Sequence, residues 1–124
     1  MKRKKKIYLS LPIAGHEDTV LELNEEYKEV IKKNFPDWDI YSPIDENGIG
    51  EAELKDHTQL ERTAFYMGRD IEAVILCDAI AMGVGWDDSK GCRVEKYTAE
   101  IYGKEVYQIC HWYDKNYFIK KRED

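Results

Sequence analysis

The sequence predicts a small α/β fold: a doubly wound, mainly parallel sheet of four to five strands with helices on both faces. Short apolar runs of strand length alternate with segments whose apolar residues recur at helical spacing, and that alternation implies parallel strands joined by crossover helices. Proline, glycine or asparagine stands at most junctions between the two patterns, where such residues end regular structure. At 124 residues, 43% hydrophobic and 35% charged, the chain is long enough for one core and expected to form one domain, 1–124.

Lys6 to Leu11 reads as a buried first strand, followed by the loop Pro12-Ile-Ala-Gly15. Asp18 or Thr19 can cap a helix in which Val20, Leu23, Tyr27, Val30 and Ile31 share a face. Asn34 and Pro36 close it, because proline disfavours helix in the residue before it. Trp38 to Ser42 forms a second short strand, ended by Pro43, and Ile44 to His57 is a polar, glycine-containing excursion. Leu60, Ala64, Met67, Ile71, Val74 and Ile75 then mark a second helix. Ala79 to Val84 is the third strand, Cys92 to Tyr102 a third helix capped by Ser89, and Glu105 to Cys110 a fourth strand. The aromatic and basic tail, 112–124, is expected to add an element or cover a neighbouring subunit in a homo-oligomer.

Composition narrows the partners. A net charge of −6 argues against nucleic acid, and the basic arm 1–6 reads as a solvated terminus. No apolar run approaches membrane-spanning length. The start mimics a secretory signal, but Tyr8, Ser10 and Pro12 interrupt its apolar part and no small-x-small site follows. Three cysteines, Cys77, Cys92 and Cys110, show neither disulfide nor zinc spacing. A cytoplasmic protein is the expectation.

In a sheet ordered 2-1-3-4, of flavodoxin-like or Rossmann-like kind, ligands bind beyond the carboxyl ends of the first and third strands. The loops after Leu11 and Val84 then face each other. Tyr8, the Pro12–Gly15 loop, Asp87, Asp88, Ser89 and Glu95 are predicted to converge there. Common signatures are missing: no phosphate-binding P-loop, no complete dinucleotide fingerprint after Gly83-x-Gly85, and no nucleophile elbow. The three histidines lack ligand spacing, so no metal is expected. What remains is a set of carboxylates, and two carboxyl groups facing a sugar suit glycosidic chemistry.

Four stretches, in order, resemble the nucleoside 2-deoxyribosyltransferase-like superfamily, from Ile7 to about Ile109. They are Ile7-Tyr-Leu-Ser-Leu-Pro-Ile-Ala-Gly15, Arg69-Asp70-Ile71 with Cys77-Asp78, Asp88-Ser-Lys-Gly-Cys-Arg-Val-Glu95, and Ala99-Glu-Ile-Tyr-Gly-Lys104. Gly85-Trp86 with Ser89 looks closest to a small branch. The resemblance implies that Glu95 is a nucleophile taking the 2-deoxyribosyl group as an ester. It implies that Asp70 protonates or holds the departing base and that Tyr8 orients Glu95. Asp87 or Asp88 would contact the sugar hydroxyls, and Ser89 matches a serine that helps bind a 5′-phosphate in the nucleotide-hydrolysing branch. Ser10, Gly15 and Gly91, within the matching stretches, are expected to touch substrate.

The implied activity is cleavage or transfer at the N-glycosidic bond of a 2-deoxyribonucleoside or its 5′-monophosphate, with no metal or organic cofactor. Leu11-Pro12 departs from the Gly-Pro or Gly-Ser common in the family. A non-catalytic nucleotide-binding module is therefore the alternative.

Overall fold

The computed structural model describes residues 3–13, 15–46 and 54–123. The chain runs β1 (Lys6–Ser10), α1 (Val20–Asn34), β2 (Asp39–Tyr41), α2 (Pro43–Glu46), α3 (Gln59–Leu76), β3 (Ala79–Met82), α4 (Lys90–Ile101), β4 (Glu105–Tyr113) and β5 (Asn116–Arg122). A 3₁₀ turn, Trp86–Asp88, links β3 to α4. The strands form one sheet ordered β2-β1-β3-β4-β5. The first four are parallel, as the alternating pattern predicts, and β5 returns antiparallel to β4.

Strand alternation splits the core in two. Ile7, Leu9, Ala79, Ala81 and Ile109 face α1 and meet Val20, Tyr27 and Ile31. Tyr8, Ile80, Met82 and Val106 point the other way, onto Ala73 and Val74 of α3 and Cys92 and Ala99 of α4. All four residues of β3 are buried, which fits a central strand covered on both faces.

The element boundaries moved in instructive places. α3 begins with a capping box: Glu61 N–H donates to Thr58 Oγ1 at 3.1 Å and Thr58 N–H to Glu61 Oε1 at 2.8 Å. α4 starts at Lys90, two residues before the expected Cys92, because Ser89 Oγ accepts from Cys92 N–H at 3.2 Å. The excursion expected over Ile44 to His57 overlaps α2, which begins one residue earlier at Pro43, and its stretch 47–53 lies outside the described residues, as do 1–2, 14 and 124. β4 runs three residues past Cys110, and the tail pairs with it as β5, with a register shift between His111 and Tyr113. At the basic start, Arg3 pairs with Asp78 and Lys4 with Asp39.

Gly83 follows β3 where a side chain would be crowded. Its N–H donates to Ser10 O at 2.8 Å. An added Cβ would sit 3.1 Å from that oxygen, 3.1 Å from Cε2 of Tyr27 and 3.2 Å from Cδ of Pro12. Gly83→Ala is expected to lower the free energy of unfolding by about 1–3 kcal/mol, read from the urea midpoint. Gly68→Ala, where a Cβ meets open space in mid-helix, serves as the control and should not destabilise.

Candidate active site

Four residues with polar groups occupy positions that the periodicity reserves for the core. On α4, Cys92, Glu95 and Ala99 form the buried stripe; on α3, Asp70, Ala73 and Val74 do. On β1, Tyr8 and Ser10 point to the same face and are fully buried. Folding therefore drives an acid from each helix toward the strand that carries two hydroxyls. Tyr8 Oη donates to Glu95 Oε2 at 2.9 Å, and Ser10 Oγ donates to Glu95 Oε1 at 2.7 Å. Both oxygens of a carboxylate that is only 6% exposed are thus held.

Burial pushes the Glu95 carboxyl up to about 7, and the nearby Asp70 charge pushes the same way; the Ser10 and Tyr8 hydroxyls pull against both. The Tyr8 phenol moves far above its ordinary range through burial and then the Glu95 charge, so it stays a donor. Burial also raises Asp70, against the pull of Arg69. Arg69 Nε and Nη2 both reach Asp70 Oδ1 at 3.1 Å. No described residue donates to Oδ2, which keeps its lone pairs for a ligand or a proton.

Glu95 and Asp70 open on one hollow of about 360 Å³, shared with Ser89 and Gly91 at the start of α4 and with Leu11 and Ile13 after β1. Thr63, Tyr66 and Met67 add a wall; they precede Asp70 by seven, four and three residues and so share its helix face. Glu17, which the sequence did not single out, also lines it. The backbone N–H groups of Lys90 and Gly91, in the first turn of α4, lack intrahelical acceptors.

The remaining expected contacts lie elsewhere. Ser10 is wholly covered, its hydroxyl turned onto Glu95, because positions 8 and 10 of a strand share one face. Asp87 lines a separate hollow with Trp86, Gln108 and Arg122. Gly85, at φ +85°, starts the 3₁₀ turn that carries both aspartates outward; Asp88 is exposed and lines neither hollow. Gly15 is likewise exposed, at φ +84°, and does not line the hollow. Among the described residues, no group of His, Cys, Asp and Glu is placed to hold a metal ion, and no helix is long and apolar enough to cross a membrane.

Residues 5–108 match the family described as "Domain of unknown function (DUF4406)". The chain belongs to this family. A solved structure of 2-deoxyribosyltransferase from the psychrotolerant bacterium Bacillus psychrosaccharolyticus is similar to this DUF4406 chain, with 27% identity and a TM-score of 0.58. The likeness covers 82% of this chain and 69% of that one, and that enzyme is described as a biocatalyst for nucleoside synthesis. It supports the resemblance to the deoxyribosyltransferase-like superfamily. No curated protein matches the chain.

The raised Glu95 carboxyl gives the fold a pH signature. A carboxyl held higher in the folded state than its ordinary value of 4.5 favours folding fully below that value. The benefit fades as pH climbs through about 7. Glu95→Gln removes the ionisation and keeps the shape. Its stability relative to the parent should rise from about pH 4.5 to 7, by up to about 3 kcal/mol, as measured by urea unfolding across pH. A constant difference would mean that the carboxyl titrates normally.

Proposed function

We propose that this DUF4406 protein cleaves or transfers the N-glycosidic bond of 2-deoxyribonucleosides, with Glu95 as nucleophile. The observation that carries the reading is the buried Glu95 carboxyl, gripped on both oxygens and opening on a sugar-sized hollow beside Asp70. A Glu95 oxygen attacks the anomeric carbon and the carbon–nitrogen bond breaks. The electron pair leaves with the base, which takes a proton from Asp70 or is held by it. Water or an acceptor base then attacks the same carbon and releases the Glu95 carboxylate, so the sugar configuration is retained overall.

Several features support the roles. Each Glu95 oxygen, though hydrogen-bonded, keeps a lone pair. Burial raises the Asp70 carboxyl against the pull of Arg69, the direction that suits a proton donor. Leu11, Ile13, Tyr66 and Met67 suit the flat apolar faces of a base. The N–H groups of Lys90 and Gly91, with Ser89, suit a sugar hydroxyl. The lining includes Glu17, Asp70 and Glu95 and no lysine or arginine among the described residues. That balance favours an uncharged nucleoside over its 5′-monophosphate.

Incubation with deoxynucleosides and deoxynucleotides, with and without a second base, tests the reading by chromatography of released and exchanged bases. Release from nucleosides is expected, rising with pH through about 7 as Glu95 ionises. Glu95→Gln should reduce it to background and Asp70→Asn by about 10²–10⁴-fold. No free base from any substrate would end the enzymatic reading. A thermal shift by nucleosides that persists in Glu95→Gln, with no turnover by the parent, would point to the non-catalytic module.

A further inference from the structure

Ser10 is placed oddly for a residue that touches substrate. It ends β1 fully buried, and its carbonyl accepts from Gly83 N–H at 2.8 Å. A Cβ on Gly83 would lie only 3.1 Å from that oxygen, and the hydrogen bond ties the backbone at position 10 to the neighbouring strand. From this fixed point its hydroxyl reaches Glu95 Oε1 at 2.7 Å. An alanine here would leave a core with one fewer polar group to satisfy, yet the chain keeps a hydroxyl facing the buried acid.

We propose that Ser10 is a positioning residue, which with Tyr8 locks both oxygens of the Glu95 carboxylate in one orientation and holds negative charge on it. The two donors stand two residues apart on one strand, so their spacing is set by the sheet and not by a mobile loop. Tyr8 takes Oε2 and Ser10 takes Oε1, so any turn of the carboxyl short of the half-turn that exchanges its equivalent oxygens breaks these bonds. A hydroxyl donated to a carboxylate favours the ionised form. The other groups facing Glu95 do the reverse or are neutral. Asp70 on α3 repels its charge, the Cys92 thiol one turn earlier on α4 is itself raised by burial, and Glu17 shares the hollow. Ser10 and Tyr8 are therefore what keeps the carboxylate accessible at neutral pH against burial and a neighbouring acid.

The kinetic part of this inference rests on Glu95 as nucleophile; the protonation part does not. Carbon-13 NMR of glutamate carboxyls, with the Glu95 signal identified by its loss in Glu95→Gln, gives the titration midpoint in the full chain without any substrate. Ser10→Ala is expected to raise that midpoint by roughly one unit, and Ser10→Thr, which keeps the hydroxyl, to return it toward the parent. The pH at which turnover switches on should move with it, with kcat falling more than KM rises. An unmoved midpoint in Ser10→Ala overturns the proposal whatever happens to activity. So does a rise in KM alone with the midpoint unchanged, which would make Ser10 a substrate contact. A shifted midpoint in a protein that releases no base would sink the glycosidic reading and leave the role of Ser10 standing.

Discussion

A carboxylate taken out of water must be compensated or neutralised, and most of this structure follows from where that compensation comes from. Glu95 interrupts the apolar stripe of α4 and is answered by two hydroxyls on the central part of the sheet. Buried ionisable groups generally weaken a fold unless they are well paired. Here the pairing is partial, since hydroxyl donors carry no charge and the acid whose charge bears on Glu95, Asp70, has the same sign. The site thus holds an acid near the middle of the physiological range, a condition suited to reaction more than to stability.

The fold supplies the rigidity that such an arrangement needs. β1 and β3 lie side by side in parallel register, Ile7 against Ala79 through Ser10 against Met82. Gly83 then closes the end of the pair onto Ser10. Ser89 caps α4 and so fixes where the first turn begins, and through it the height at which Glu95 enters the core. On the far side, Arg69 links Asp70 to the end of α2 by donating to Glu46 O at 3.0 Å. Strand, turn and helix each constrain one side of the hollow.

Periodicity revealed most of the architecture. Strand and helix patterns differ enough that the order of elements, the parallel sheet and the crevice between the first and third strands all followed from spacing. The boundaries were less legible because caps act locally: Ser89 starts α4 early and the Thr58–Glu61 box defines α3. The antiparallel β5 was hidden by its mixed aromatic and basic composition, which reads equally as strand, helix or interface. Within the site, Glu95, Asp70 and Tyr8 stood out through their stretches. The place of Ser10 was implicit in its two-residue offset from Tyr8, and a strand reading carried through to side-chain direction shows it facing the acid. Asp87 and Asp88 stand outside the Glu95 hollow because the 3₁₀ turn carries them away despite their nearness in sequence to Ser89. Glu17 carried no pattern at all, since the loop before α1 has no period from which to read direction.

The central claim is that the clasped acid forms a bond to sugar, and mass spectrometry can look for that bond directly. The protein would be treated with a 2′-fluorinated deoxynucleoside, whose electron-withdrawing substituent slows breakdown of the ester, then quenched in acid and digested. The account predicts that the peptide containing Glu95 gains the mass of one fluorinated deoxyribosyl group, and that fragmentation places it on Glu95. Base release with that peptide unmodified, or with the sugar on another carboxyl, would contradict it.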